Sequence, residues 1–118
     1  MGYKADRTAE DIKRELSVLI GELKDPRVGE AMLTVVHTEV AHDLSFCKVY
    51  ISSLKGIEAA KAACKVLEGS AKGHIRGQLS KVLDIRKTPE IRFIPDDSVE
   101  RSIEMFRKLE QADKKADE

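Results

Sequence analysis

A helical run over residues 59–85 carries glycine at every fourth position, at Gly69, Gly73 and Gly77. Each glycine in a helix interior costs about 1 kcal/mol relative to alanine, so one uninterrupted helix is disfavoured here. Two interpretations fit the pattern. The glycines break the helix and bring its backbone close to a ligand, or they let a second helix pack closely.

Cations accompany these glycines. Lys72 and Arg76 lie four residues apart and therefore share one helix face beside Gly73. Two cations are unusual on a face that packs against another helix. We therefore expect the segment 70–77 to form a joint that faces RNA, with a new helix starting near Gly73. Replacing Gly73 and Gly77 by alanine is then expected to straighten the helix and weaken binding.

The charge of the chain is unevenly distributed, although its 21 cations balance its 21 anions. Residues 57–92 carry eight cations against four anions, whereas residues 93–118 carry five against eight. This polarity favours docking on RNA through one face, and a mixed solvated surface is the alternative. The cations that we expect to contact RNA phosphates are Lys72, Arg76, Arg86, Lys87 and Arg92, together with the backbone at Gly73.

Hydrophobic periodicity predicts the first half of the chain. Thr8 to Asp11 has the form of a capping box, and apolar residues at helical spacing predict a first helix over about Ala9–Leu23. Asp25-Pro26 ends it, because the residue before proline disfavours helical backbone. Strands are predicted at Leu33–Val40 and around residues 47–51, with a hairpin turn at 41–45.

The second half is predicted as an alanine-rich helix from about residue 59, the glycine joint, a helix that ends before Pro89, and a strand over Glu90–Ile94. A last helix follows, capped by residues 97–100, and its apolar residues Val99, Ile103 and Phe106 are expected to face the sheet. The alternative is that this stripe, with Leu109, docks a partner protein.

This order predicts one α+β domain in which helices cover a small sheet. We expect a flexible N-terminus at 1–7, the domain at 8–110 and a charged disordered tail at 111–118. The order matches the bacterial (type II) KH fold, which holds single-stranded RNA at a helix-turn-helix joint. The usual joint is a GXXG loop, and this chain has three residues between Gly73 and Gly77 instead.

With Ala71-Lys72-Gly73 in place of GXXG, the chain resembles the bacterial ribosome-binding factor A family, whose KH-like domain has an Ala-x-Gly kink. The similarity extends over about Arg7 to Leu109. Further matches, in family order, are Asp25-Pro26-Arg27, Val40, Asp43, Leu44, Lys48-Val49-Tyr50, Ile75-Arg76, Leu79, Arg86, Pro89-Glu90-Ile91-Arg92-Phe93 and Asp97-Ser98.

Residues 1–6 lack the apolar core of a secretory signal, so we expect a cytoplasmic protein. The resemblance implies a non-enzymatic assembly factor. Its partner would be the small ribosomal subunit, whose ribosomal RNA it would help to mature near the 5′ end, with a role in cold adaptation. Ala71 and Gly73 would form the kink. A KH-like RNA-binding or protein-interaction module without a maturation role is the alternative. We expect a monomer with no membrane partner and no small-molecule substrate.

The sequence contains little that indicates a metal-binding or catalytic site. The three histidines pair with no cysteine at metal-ligand spacing, and Asp96-Asp97 reads as a helix cap rather than a catalytic carboxylate pair. Cys47 and Cys64 are expected to be buried free thiols. We therefore expect no cofactor, no metal and no catalysis. Tyr50 offers a ring for base stacking, with burial in the core as the alternative.

Overall fold

The computed structural model describes the backbone of residues 2–83 and 88–117, and the side chains of residues 7–83 and 88–112. Within these residues the chain forms five helices and three strands, which confirms the predicted α+β fold. The elements in chain order are α1 (Gly2–Glu22), α2 (Pro26–Gly29), β1 (Leu33–Val40), β2 (Phe46–Ser53), α3 (Ile57–Glu68), α4 (Lys72–Val82), β3 (Glu90–Asp96) and α5 (Ser98–Asp117).

The first helix starts earlier than the sequence predicts. Thr8 was expected to cap it, but α1 begins at Gly2 and Thr8 is a buried residue inside the helix. The capping-box prediction is therefore wrong. Residues 3–7 contain neither glycine nor proline, so the backbone gives no reason for the helix to begin at Thr8. Asp25 instead caps α2, where its side chain accepts a hydrogen bond from the N–H of Arg27.

The strands form one sheet in the order β1-β2-β3. β1 and β2 pair antiparallel through the predicted hairpin, whose turn is closed by a 2.8 Å hydrogen bond from the N–H of Leu44 to the carbonyl oxygen of Ala41. A register shift between Val35 and His37 interrupts the pairing. β3 runs parallel to β2, as the α3–α4 crossover between them requires.

One face of the sheet holds the core. Cys47, Val49 and Ile51 of β2 are fully buried there, as their alternation predicts. The helices contribute a second set of fully buried side chains, which includes Ile12 and Leu16 of α1, Leu67 of α3 and Leu79 of α4. Helices α1, α3 and α4 therefore cover this face. The opposite face of the sheet is open along the first half of β2, whereas Ser52 near the end of that strand is buried.

The last helix departs from its prediction. Ile103 and Phe106 were expected to face the sheet, but their side chains are 40% and 67% exposed. The first turn of α5 is anchored, because Glu100 accepts a hydrogen bond of 3.2 Å from the N–H of Ile57. All residues from 101 to 112 are exposed. The predicted tail at 111–118 begins inside α5, which continues to Asp117.

Candidate nucleic-acid interface

The joint between α3 and α4 bends at residues 69–71. The N–H of Gly69 donates to the carbonyl oxygens of Lys65 and Val66, and this ends α3. A Cβ atom on Gly69 would lie 3.0 Å from the carbonyl oxygen of Lys65. Glycine is therefore favoured at position 69, because it has no Cβ atom to make this close contact.

Ala71 joins the bend to the next helix. It is the N-cap of α4, is half-buried against the core, and its N–H donates to the carbonyl oxygen of Val66 at 3.1 Å. Lys72 is the first helical residue. Among the described residues, the N–H groups of Gly73 and His74 have no hydrogen-bond acceptor. These amides and the positive end of the α4 dipole favour an anion at this position.

Gly73 and Gly77 lie inside α4 and do not break it. Both are exposed, and a Cβ atom added at either would meet nothing within 4 Å. The expectation that both glycines hold the bend is therefore wrong, because the bend precedes them. The helix-packing alternative is not supported either, since no described element approaches these two positions. What the glycines provide is an exposed backbone on the face beside Lys72 and Arg76.

Two carboxylates, which sequence reasoning missed, flank Lys72. Its Nζ lies 3.9 Å from Glu68 and 4.0 Å from Glu90, and Arg92 lies 3.9 Å from the same Glu90. The structure thus brings Lys72 and Arg92 together around one carboxylate. The i,i+4 spacing of Glu68 and Lys72 was a signal for the first pair. No short-range sequence pattern indicated the pair between Lys72 and Glu90.

The remaining predicted cations divide into two groups. Arg76 is exposed on α4 and forms no ion pair with any residue that the structure describes. It shares a small depression with Lys72, Ile75 and Phe93. Arg86 and Lys87 lie outside the described residues. The described part of the candidate interface therefore comprises the α4 N-terminus, Lys72, Arg76 and Arg92.

The other candidate groups have structural roles. Hydrogen bonding from Ser98, whose N–H lies 2.7 Å from the Asp96 carboxylate, lowers the pKa of Asp96 at the start of α5, and Asp97 pairs with Arg101 at 2.9 Å. Burial raises the pKa of Cys47 to about 12 and that of Cys64 to about 11. Neither thiol is a nucleophile at neutral pH.

The described part of the chain contains no group of three or more side chains that could hold a metal ion. In the same part of the chain, none of the helices combines the length and the apolar character needed to cross a membrane.

Comparison with known proteins points to one family. A family model described as ribosome-binding factor A matches residues 4–109. The ribosome-binding factor A of Thiobacillus denitrificans is 44% identical over 110 residues, which cover 92% of this chain and 86% of that protein.

Solved structures agree. The crystal structure of ribosome-binding factor A from Thermus thermophilus has a TM-score of 0.68 and 26% identity, covering 77% of this chain and 93% of that one. A Thermus thermophilus homology model fitted into a cryo-electron-microscopy map of a 30S complex with this factor has a TM-score of 0.62 and 27% identity. It covers 75% of this chain and 91% of that one.

Proposed function

Since the chain belongs to the ribosome-binding factor A family, we propose that it is a ribosome maturation factor that binds the free or immature small ribosomal subunit. In this proposal it assists late processing of the ribosomal RNA near the 5′ end. The observation that carries the proposal is the similarity, across most of the chain, to a Thermus thermophilus factor fitted into a 30S complex.

The α3–α4 joint is the proposed RNA contact. Two unsatisfied amides at the start of α4 point to where a phosphate would lie, and Lys72 and Arg76 flank that position. Such contacts hold the backbone of RNA without reading its bases, so they position a protein on a folded RNA. Arg92 extends the cationic track along β3, and we include Arg86 and Lys87 in it as predictions.

The ion pairs that Lys72 forms with two carboxylates are weak enough to be replaced by a phosphate. Both distances, 3.9 and 4.0 Å, are long for charge-assisted hydrogen bonds, and the side chain is 41% exposed. Exposed pairs of this kind contribute little to stability. Lys72 can therefore exchange its carboxylate partners for a phosphate at small cost, while Glu68 and Glu90 keep it near the joint.

The test is sedimentation with purified small subunits. The double variant Lys72→Glu/Arg76→Glu should lose co-sedimentation, because two charges at the proposed phosphate site are reversed. A matched control, Lys24→Glu/Lys55→Glu, makes the same charge change at two exposed lysines away from the joint and should still sediment. Equal binding by both variants contradicts the proposed interface. In a deletion strain, unchanged levels of precursor ribosomal RNA would contradict the maturation role.

A second candidate function has its own observation. The exposed apolar side chains of α5, which are Ile103, Met105, Phe106 and Leu109, match what a protein-interaction helix presents. In this reading the chain binds a protein without a maturation role. The double variant Phe106→Ser/Leu109→Ser would then lose its partner. Retention of the same protein partner by this variant would contradict this candidate.

A further inference from the structure

The sheet face opposite the core carries aromatic rings beside cations. Alternate residues of β2 from Cys47 to Ile51 are fully buried against the helices, so Phe46, Lys48 and Tyr50 point the other way. These three side chains are half-buried. We call the surface around them the open face.

The neighbouring strands complete this face, because residues directly opposite in register share a side of the sheet. His37 of β1 lies opposite Tyr50, and their ring centroids are 5.9 Å apart. Arg92 of β3 lies opposite Lys48, and its guanidinium carbon is 4.7 Å from the centre of the Phe46 ring. The open face therefore presents three rings and two cations.

The open face is accessible along the first half of β2. The side chains of His37 and Arg92 are 60% and 52% exposed. Helix α5 is anchored at the other end of β2, where Glu100 contacts the N–H of Ile57, and its residues from 101 onward are exposed. No described element covers the rings.

Charge on the open face is nearly balanced. Glu39 lies 3.3 Å from Nε2 of His37 and accepts a hydrogen bond from the Tyr50 hydroxyl, and Glu90 pairs with Arg92. Net charge therefore contributes little to the affinity for a ligand on this face. The rings and the guanidinium plane contribute more, because bases of single-stranded RNA stack on such groups.

The open face is continuous with the proposed RNA contact. Glu90 lies between Lys72 of α4 and Arg92, and Arg92 in turn lies over Phe46. An RNA strand that leaves the α3–α4 joint along β3, an edge of the sheet, reaches the rings directly. We propose that the open face is a stacking platform for the bases of a single-stranded RNA segment. This proposal rests on the proposed function, since the joint would hold the same strand by its phosphates.

The fluorescence of Tyr50 provides a direct test of this proposal. The chain has no tryptophan and two tyrosines, so in a Tyr3→Phe variant the tyrosine emission comes from Tyr50. Oligouridylate and oligoadenylate of about ten nucleotides serve as probes, a length within the usual range of single-strand sites. Bound oligonucleotide should quench this emission. Affinities of all variants are measured by the fluorescence anisotropy of a dye-labelled oligonucleotide, since the Tyr50 variants lack the reporting tyrosine. Phe46→Leu and Tyr50→Leu should each weaken binding roughly tenfold and leave the salt slope unchanged.

Tyr50→Phe is the matched control, because it keeps the ring and removes only the hydroxyl, and it should bind as the wild type does. Oligonucleotide that binds without quenching Tyr50, or that does not bind at all, overturns the platform. So does equal affinity in the leucine variants. Loss of subunit sedimentation in those variants with unchanged oligonucleotide affinity means that the open face contacts protein instead. In each of these cases, wild-type sedimentation with small subunits decides the proposed function separately.

Discussion

The buried hydroxyl of Thr38 donates a 2.8 Å hydrogen bond to the main-chain carbonyl oxygen of Ala9, and so ties β1 to α1. Thr38 faces the core, opposite Val49 of β2. The bond joins two residues that are 29 positions apart in the chain and fixes where α1 crosses the sheet.

Thr38→Val removes this donor while keeping the shape of the side chain, and it should lower the free energy of unfolding by about 1 kcal/mol. Urea denaturation measures the change. Thr34→Val is the control, because Thr34 is exposed on the same strand, and it should change stability by less than about 0.5 kcal/mol. Equal effects at the two positions would show that the hydroxyl of Thr38 contributes nothing specific.

Ser52 and Ser53 form a second matched pair. Both are buried, but Oγ of Ser52 has no hydrogen-bond partner among the described residues, whereas Oγ of Ser53 donates to the carbonyl oxygen of Ala31 and accepts from the N–H of Lys55. Ser52→Ala should therefore be neutral or stabilising, and Ser53→Ala should destabilise by about 1–2 kcal/mol. Thermal unfolding of the two variants tests this, and the opposite order would refute it.

Glycine replacements in the joint should differ in sign. Gly77→Ala should stabilise the protein by about 0.5–1 kcal/mol, because Gly77 lies in α4 and an added Cβ meets nothing within 4 Å. Gly69→Ala should destabilise it, since the Cβ would lie 3.0 Å from a backbone oxygen. Chemical denaturation of both variants measures the two changes. A loss of stability in Gly77→Ala would mean that the bend includes Gly77 after all.

The buried thiols predict a loss of stability at alkaline pH. Burial raises the pKa of Cys47 from 9.0 to about 12 and that of Cys64 to about 11. Above pH 9 the unfolded chain releases these protons while the folded chain keeps them, so stability falls as pH rises from about 9 to about 11. Urea unfolding across this range should show a shallower fall in Cys47→Ala/Cys64→Ala than in the wild type. Parallel curves would contradict the assignment.

RNA binding at the joint should depend on salt. If about four phosphates are neutralised, the logarithm of the affinity should fall against that of the salt concentration with a slope near −3. Lys72→Ala/Arg76→Ala should reduce the size of this slope by about 1.5. Affinity for small subunits measured over a salt series checks both values. A flat response in the wild type would rule out phosphate contacts as the basis of binding.

The parts of the fold that the sequence predicted well are those with one-sided burial. Cys47, Val49 and Ile51 alternate with polar or half-buried neighbours, and a period of two specifies both a strand and its buried face. The start of α1 was mispredicted because a capping box is a local signal, and the residues before Thr8 propagate a helix equally well.

The candidate site was predicted in part. Ala71 and Lys72 mark the joint, but the bend lies at residues 69–71 rather than at Gly73 and Gly77, because a glycine in an open helix costs stability without changing the backbone path. The pairing of Lys72 with Glu90 is invisible in the sequence. It depends on β3 lying beside α4, eighteen residues later in the chain.

The sequence by itself determined the types and order of the elements other than the short helix α2, together with the helical joint and the family, because periodicity, turn residues and family motifs are local or ordered along the chain. Only the tertiary structure decided which apolar stripes are buried. The apolar residues of α5 have the same spacing as those of a helix that faces the core, yet Phe106 is 67% exposed. Burial depends on whether another element packs against the helix, and the spacing does not show this. The tertiary structure likewise brought Phe46, Tyr50 and Arg92 onto one open face, since strand register joins residues that the chain keeps apart.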